Sequence, residues 1–107
     1  MVKNKKQKIQ TINNELLIYL DDIALAYWAM DDGAWTKSGF YLHTKGFTFL
    51  ETSRLVAILH YRFTLDCSVQ DHDGKPVIYI KEKSMKLFIS LVHPHFHQSM
   101  MYKLKTM

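Results

Sequence analysis

The sequence predicts an α+β domain in the order helix, hairpin, helix, hairpin, helix (αββαββα), with an antiparallel sheet packed on helices. Three observations predict it. Apolar residues recur at helical spacing in three separated stretches, near residues 23–30, 49–63 and 85–92. Between them the chain alternates with period two on either side of turn signals at residues 37–39 and at Asp73-Gly74. At 107 residues, 48% of them apolar, the chain has room for one core and no second domain.

Taken in order, residues 1–8 hold Lys3, Lys5, Lys6 and Lys8 and read as a basic N-terminal arm. The single domain then fills residues 9–107. Its first stretch, residues 9–20, spaces Ile9, Ile12, Leu16, Leu17 and Leu20 in a way that suits either a short helix or an extended arm. Asp21 or Asp22 caps the next helix, expected over residues 23–32 and ended by Gly33. Ile23, Tyr27 and Met30 make its large-residue stripe, expected to meet the core. Ala26, Ala29 and Gly33 make a small-residue face that lets a second backbone approach closely. Residues 34–36 and 40–45 form the first hairpin. In its second strand Phe40, Leu42 and Thr44 share one face, and Tyr41, His43 and Lys45 share the other.

Thr48 with Glu51 three residues on is a capping-box signature, so a helix over residues 49–63 is predicted. Residues 66–70 and 77–81 alternate around Asp73-Gly74 as the second hairpin. Ser84 caps a last helix carrying Met85, Leu87, Phe88, Leu91 and Val92, which Pro94 stops. Met100 and Met101 are expected to fill core.

Composition narrows the function classes. The formal charge is +4, from twelve lysines and two arginines against ten acids, a balance that permits binding to a polyanion. Lysine meets phosphate as a point charge, whereas the arginine fork is the better reader of guanine edges. The longest apolar run, residues 23–30, is far short of the ~20 residues a membrane span needs. The basic N-terminus leads into Asn and Gln, not into the apolar stretch of a signal peptide. Cys67 is the single cysteine, so no internal disulfide forms, which suits a reducing compartment. His93, His95 and His97 alternate around Pro94 without a cysteine or fourth ligand nearby, and are expected as polar loop residues.

Four segments carry a family resemblance. Residues 25–33, LAYWAMDDG, occupy the nine positions of a motif whose variant reads AYWxMDDG. TKGFTF at residues 44–49, IYI at 78–80 and MMYKL at 100–104 follow in the same frame. In this order they give a resemblance, covering roughly residues 9–105, to the C-terminal half of an omega-intron-type, single-chain LAGLIDADG homing endonuclease.

That resemblance implies a LAGLIDADG half-domain that binds double-stranded DNA in the major groove. It also implies hydrolysis of phosphodiesters with Mg²⁺, a divalent-metal-dependent, site-specific endonuclease activity. Mg²⁺ is usually held by only one or two protein carboxylates. The family pattern gives that role to Asp32, with the Gly33 carbonyl beside it, while Lys103 in the YKL block matches an active-site lysine that offsets charge at the phosphate. Asp31 is expected to cap or orient. The sheet face bearing Tyr41, His43, Lys45, Ser68, Gln70, Tyr79 and Lys81 is the expected DNA-binding surface, and Ala26, Ala29 and Gly33 the expected seam between halves. Phosphate contacts fall to Lys37, Lys75, Lys81, Lys83 and Lys86. Such enzymes carry two motifs and this chain carries one. It is therefore expected to homodimerise, to pair with a separately encoded half, or to be inactive. The alternative is a recruited module that binds RNA, maturase-like or as a ribosomal component of an organellar ribonucleoprotein. No membrane association is expected, and the resemblance implies an organelle, the mitochondrion.

Overall fold

A computed structural model describes residues 20–104. The basic arm and almost all of the stretch expected at residues 9–20 lie outside the described residues. The observed order is α1 (Asp22–Asp32), β1 (Gly33–Trp35), β2 (Phe40–His43), α2 (Phe49–Phe63), β3 (Cys67–His72), β4 (Lys75–Ile80) and α3 (Met85–Val92). Three short 3-10 segments complete it, Glu82–Ser84, His93–His95 and Gln98–Lys103. This is the predicted αββαββα arrangement. The strands form one antiparallel sheet in the order β1-β2-β4-β3, so α2 carries the chain across β4 to the far edge.

Local chemistry accounts for most boundaries. Asp21 caps α1 by accepting from the Ala24 amide at 2.8 Å. Thr48 and Glu51 form the predicted capping box, with the Glu51 amide donating to Thr48 Oγ1 at 3.1 Å and the Thr48 amide to Glu51 Oε1 at 3.0 Å. Thr36 closes the first hairpin, its Oγ1 accepting from the amides of Ser38 and Gly39. Asp73 and Gly74, with φ of 58° and 81°, supply the two left-handed residues that a tight second hairpin needs. Val92 ends α3 just before Pro94.

All helices lie on one side of the sheet. Phe40, Leu42, Ile78 and Ile80 point inward from the strands and are fully buried, meeting Trp28, Leu55, Leu59 and Phe88. The Phe40 and Phe88 rings lie 4.9 Å apart at a tilt. The opposite parity, Tyr41, His43, Ser68, Gln70, His72 and Tyr79, faces outward, as strand register requires.

Five expectations change. Ala26 and Ala29 have no exposed surface at all, so they line this chain's own core and cannot form the expected seam. Of the large-residue stripe expected to meet the core, only Met30 is buried; Ile23, 45% exposed, and Tyr27, 46% exposed, lie with Asp31 on the solvent-facing side of α1. Gly33 is not a left-handed helix end: its φ is −101°, and it begins β1 directly. It must be glycine for steric reasons, because a Cβ there would lie 2.4 Å from the Ala29 carbonyl oxygen and 2.5 Å from the Phe40 ring. Ser84 makes no capping bond to α3; its Oγ instead accepts from the Asp66 amide at 2.8 Å, joining the start of β3 to the last helix. Finally, β3 runs on to His72, two residues past its expected end.

Cys67 sits on the inward face of β3, and burial, helped by the Asp66 charge, pushes its thiol up to about 12. The native chain is therefore expected to react with iodoacetamide at pH 8 at least ~100-fold more slowly than a free thiol. The same reagent under denaturing conditions should label it fully, and rapid labelling of the native chain would contradict this packing.

Candidate metal centre and nucleic-acid interface

Asp32 is the last residue of α1 and lies where that helix runs into the sheet. Three groups converge around it. His43 on β2 places Nδ1 3.0 Å from the Asp32 carbonyl oxygen. Lys45, just past β2, brings its ammonium to 3.5 Å from Asp32 Oδ1; the lysine side chain is 77% exposed and the aspartate side chain 17%. Lys103, from the C-terminal segment, donates to the Met30 carbonyl at 2.5 Å. That bond caps the last turn of α1 and puts a cation at the negative end of its dipole, two residues from Asp32.

The acid is thus partly accessible, attached to a helix end and faced by an exposed cation. Behind it, Trp28 is almost wholly buried and donates from Nε1 to the His43 carbonyl at 3.1 Å. The core indole, the outer-face imidazole and the aspartate backbone therefore form one connected chain of bonds. One carboxylate beside backbone carbonyls suits a hard, oxygen-seeking divalent cation, which needs few protein ligands and keeps water. Among the described residues no group of three His, Cys, Asp or Glu side chains is gathered to hold a metal alone. Any ion at Asp32 would need oxygens from elsewhere.

The outward sheet face begins beside this acid. Tyr41 stands at its centre, 5.3 Å from the Tyr79 ring and 4.8 Å, edge-on, from His72. Tyr79 reaches Ser38 through its hydroxyl at 3.2 Å, packed over Gly39, where a Cβ would lie 2.6 Å from the tyrosine ring. His72 Nε2 lies 3.2 Å from Gln70 Oε1. The structure therefore brings Tyr41, His43, Ser68, Gln70 and Tyr79 onto one face, adds His72, and draws Lys45 to Asp32. Lys81 pairs with Asp66 at 3.5 Å, and Lys83 binds the same carboxylate at 2.8 Å. The Lys83 bond chiefly holds that acid below its usual range. Ion pairs this exposed are worth little in water, so both ammonium groups remain available to a phosphate.

Sequence reasoning missed His72, although the alternation that includes Gln70 continues to it. It also missed the bond between His95 Nε2 and Asp22 Oδ2, 2.8 Å, which lowers the Asp22 carboxyl and ties the C-terminal segment to the start of α1. His97 is engaged differently, its Nδ1 lying 2.8 Å from Ser99 Oγ. No spacing rule could have paired residues so far apart in sequence.

Comparison with known proteins fits this geometry. Residues 2–88 match the LAGLIDADG DNA endonuclease family. The chain is 41% identical over 102 residues to the intron-encoded endonuclease ai4 of Dictyostelium discoideum, covering 94% of this chain and 64% of that protein. It is 32% identical over 108 residues to the cytochrome b mRNA maturase bI2 of Saccharomyces cerevisiae, covering 96% of this chain and 26% of that one. Among solved structures it is similar to the homing endonuclease I-WcaI bound to its DNA recognition sequence. The TM-score is 0.82 at 39% identity, over 87% of this chain and 45% of that chain. In each case the chain spans less than two-thirds of the longer protein. The motif acid stands at the helix–sheet junction, and the match over most of the sequence settles the family: the chain belongs to the LAGLIDADG DNA endonucleases.

Proposed function

We propose that this chain is one half of a site-specific DNA endonuclease, which lays its sheet in the major groove and cleaves once a second motif helix supplies the other acid. The observation that carries this reading is the place of Asp32. It sits at the margin of an aromatic and polar sheet face, fixed through its backbone by His43 and faced through its carboxylate by Lys45. A groove-bound duplex on that face brings a phosphate to the same margin, since the major groove is wide enough for a β-ribbon.

In this reading Asp32 and the Gly33 carbonyl would hold Mg²⁺, which would supply Lewis acidity toward a phosphate oxygen and make a nearby water more acidic. The chain's own residues do the rest. His43 keeps the helix end from shifting as the acid takes up a cation. Lys45, exposed and only 3.5 Å from Asp32, would meet a phosphate brought to that margin. Lys103 stands by the end of α1 and offsets negative charge as it builds.

The second motif docks on the stripe Ile23, Tyr27 and Asp31, at successive i, i+4 positions along α1. Whether the partner is another copy or a separately encoded half, a duplex with two scissile phosphates needs both acids. The experiment is sedimentation of the purified chain with and without Mg²⁺ and duplex DNA. Homodimerisation gives a mass near twice 12.6 kDa. Tyr27→Glu should weaken self-association roughly 30-fold. An unchanged dimer in that variant would remove the stripe from the interface. A chain that stays monomeric and binds no duplex would overturn the reading as a whole.

A second reading is favoured by the likeness to a cytochrome b mRNA maturase along nearly the whole chain. There the same sheet face and its flanking lysines hold an RNA backbone and Asp32 has no chemical task. Competition between duplex DNA and intron RNA for the chain separates the two. Both readings place it in an organelle, in keeping with the intron-encoded and cytochrome b relatives.

A further inference from the structure

The outward sheet face contains no guanidinium. Both arginines lie on α2, Arg54 on its exposed side and Arg62 with Nε bonded to the Leu20 carbonyl at 3.1 Å. Of the lysines near the face, Lys45 pairs with Asp32, Lys81 pairs with Asp66, and Lys75 stands at the tip of the β3–β4 hairpin. Guanine shows two acceptors in the major groove and is best met by a fork of donors. The middle of this face offers none.

It offers a braced amide. Gln70 lies opposite Val77 in the strand register, with Ser68 and His72 two residues to either side on the same face. The Tyr41 ring fixes His72 edge-on, and His72, with its proton on Nε2, donates to Gln70 Oε1 across 3.2 Å. That bond occupies one lone pair of the amide oxygen. The second lone pair and the amide N–H groups remain for the groove. One acceptor and one donor side by side complement the N6 donor and N7 acceptor of adenine.

From this arrangement we infer that Gln70 is a base-reading residue selecting adenine, so that the base pair beneath the β3–β4 hairpin is A·T, and that His72 is a positioning residue acting through it. The assignment rests on the DNA-binding reading above.

Selection of bound duplexes from a library of random sequence, using the full chain and its variants, tests it. One position should show adenine over guanine by roughly 5- to 150-fold, the discrimination of a good bidentate contact. Gln70→Ala should erase the preference at that position alone, and Gln70→Arg should turn it to guanine. His72→Phe keeps a ring against Tyr41 but loses the donor, so it should weaken the adenine preference without moving it. An unchanged preference in Gln70→Ala and Gln70→Arg, or guanine selected by the unaltered chain at the position those variants affect, would overturn the inference while leaving DNA binding intact. Failure to enrich any duplex would overturn the DNA-binding reading and this assignment together.

Discussion

Asn in place of Asp32 should abolish strand cleavage and leave duplex binding within about twofold. The substitution keeps the shape of the side chain and the His43 bond to the residue-32 carbonyl. It removes the negative charge that Lys45 faces and that a divalent cation needs. Losing a metal ligand from a two-acid centre should cost on the order of 1,000-fold in rate or more, about 4 kcal/mol of barrier. Binding should not fall, because a carboxylate beside a phosphate contributes repulsion, and its neutralisation can only ease the approach. Cleavage of a labelled duplex and filter binding at the same salt concentration read the two effects separately. Equal loss of both would refute the division of labour between acid and sheet face.

Trp28→Ala should have the largest effect on stability. The indole is 2% exposed in the core, and its N–H satisfies the His43 carbonyl. Deleting a buried aromatic side chain costs about 3–5 kcal/mol through lost packing and the cavity left behind. A domain of this size has only about 5–15 kcal/mol in hand, so the variant should forfeit a large share of its stability and unfold at a much lower denaturant concentration. Trp28→Phe refines the test. It keeps most of the apolar volume but orphans the carbonyl, and should cost a further 1–3 kcal/mol beyond the change in volume. A denaturant midpoint for Trp28→Ala close to that of the unaltered chain would show that α1 does not depend on this contact.

The parts of the fold that were legible in the sequence are those specified by neighbours. Thr48 and Glu51 are three residues apart, Asp73 and Gly74 are adjacent, and Phe40 and Leu42 alternate with Tyr41 and His43. Each is a local signal with a local cause, and α2, the second hairpin and the two faces of the sheet came out as expected. The orientation of α1 did not. Leu25, Ala26, Trp28, Ala29 and Met30 are all buried, so its apolar surface spreads around much of the helix and its spacing gives no single inward direction. The small size of the alanines suggests an open seam, because small residues permit close approach; the close approach they permit is to the chain's own core. At the candidate site the motif acid was legible through resemblance. The bonds that position it, from His43, Trp28 and Lys103, join residues 11 to 73 positions apart and exist only once the sheet and helices have met.

The C-terminal segment has a consequence for the order of folding. His95 reaches Asp22 and Lys103 reaches Met30, each across 73 residues, and the His97 amide reaches Met30 Sδ across 67. Among the described residues these closures span the most sequence and carry a large loop-closing entropy, so they are expected to form late. During synthesis, at about 5–20 residues per second, α1 emerges first and must wait several seconds for the residues that brace both of its ends. The hairpins and α2 can assemble in the meantime, but the helix bearing the motif acid stays only half-anchored until the segment carrying His95 and Lys103 has left the ribosome. A nascent chain stalled short of residue 95 would therefore have a sheet face before it has a fixed acid.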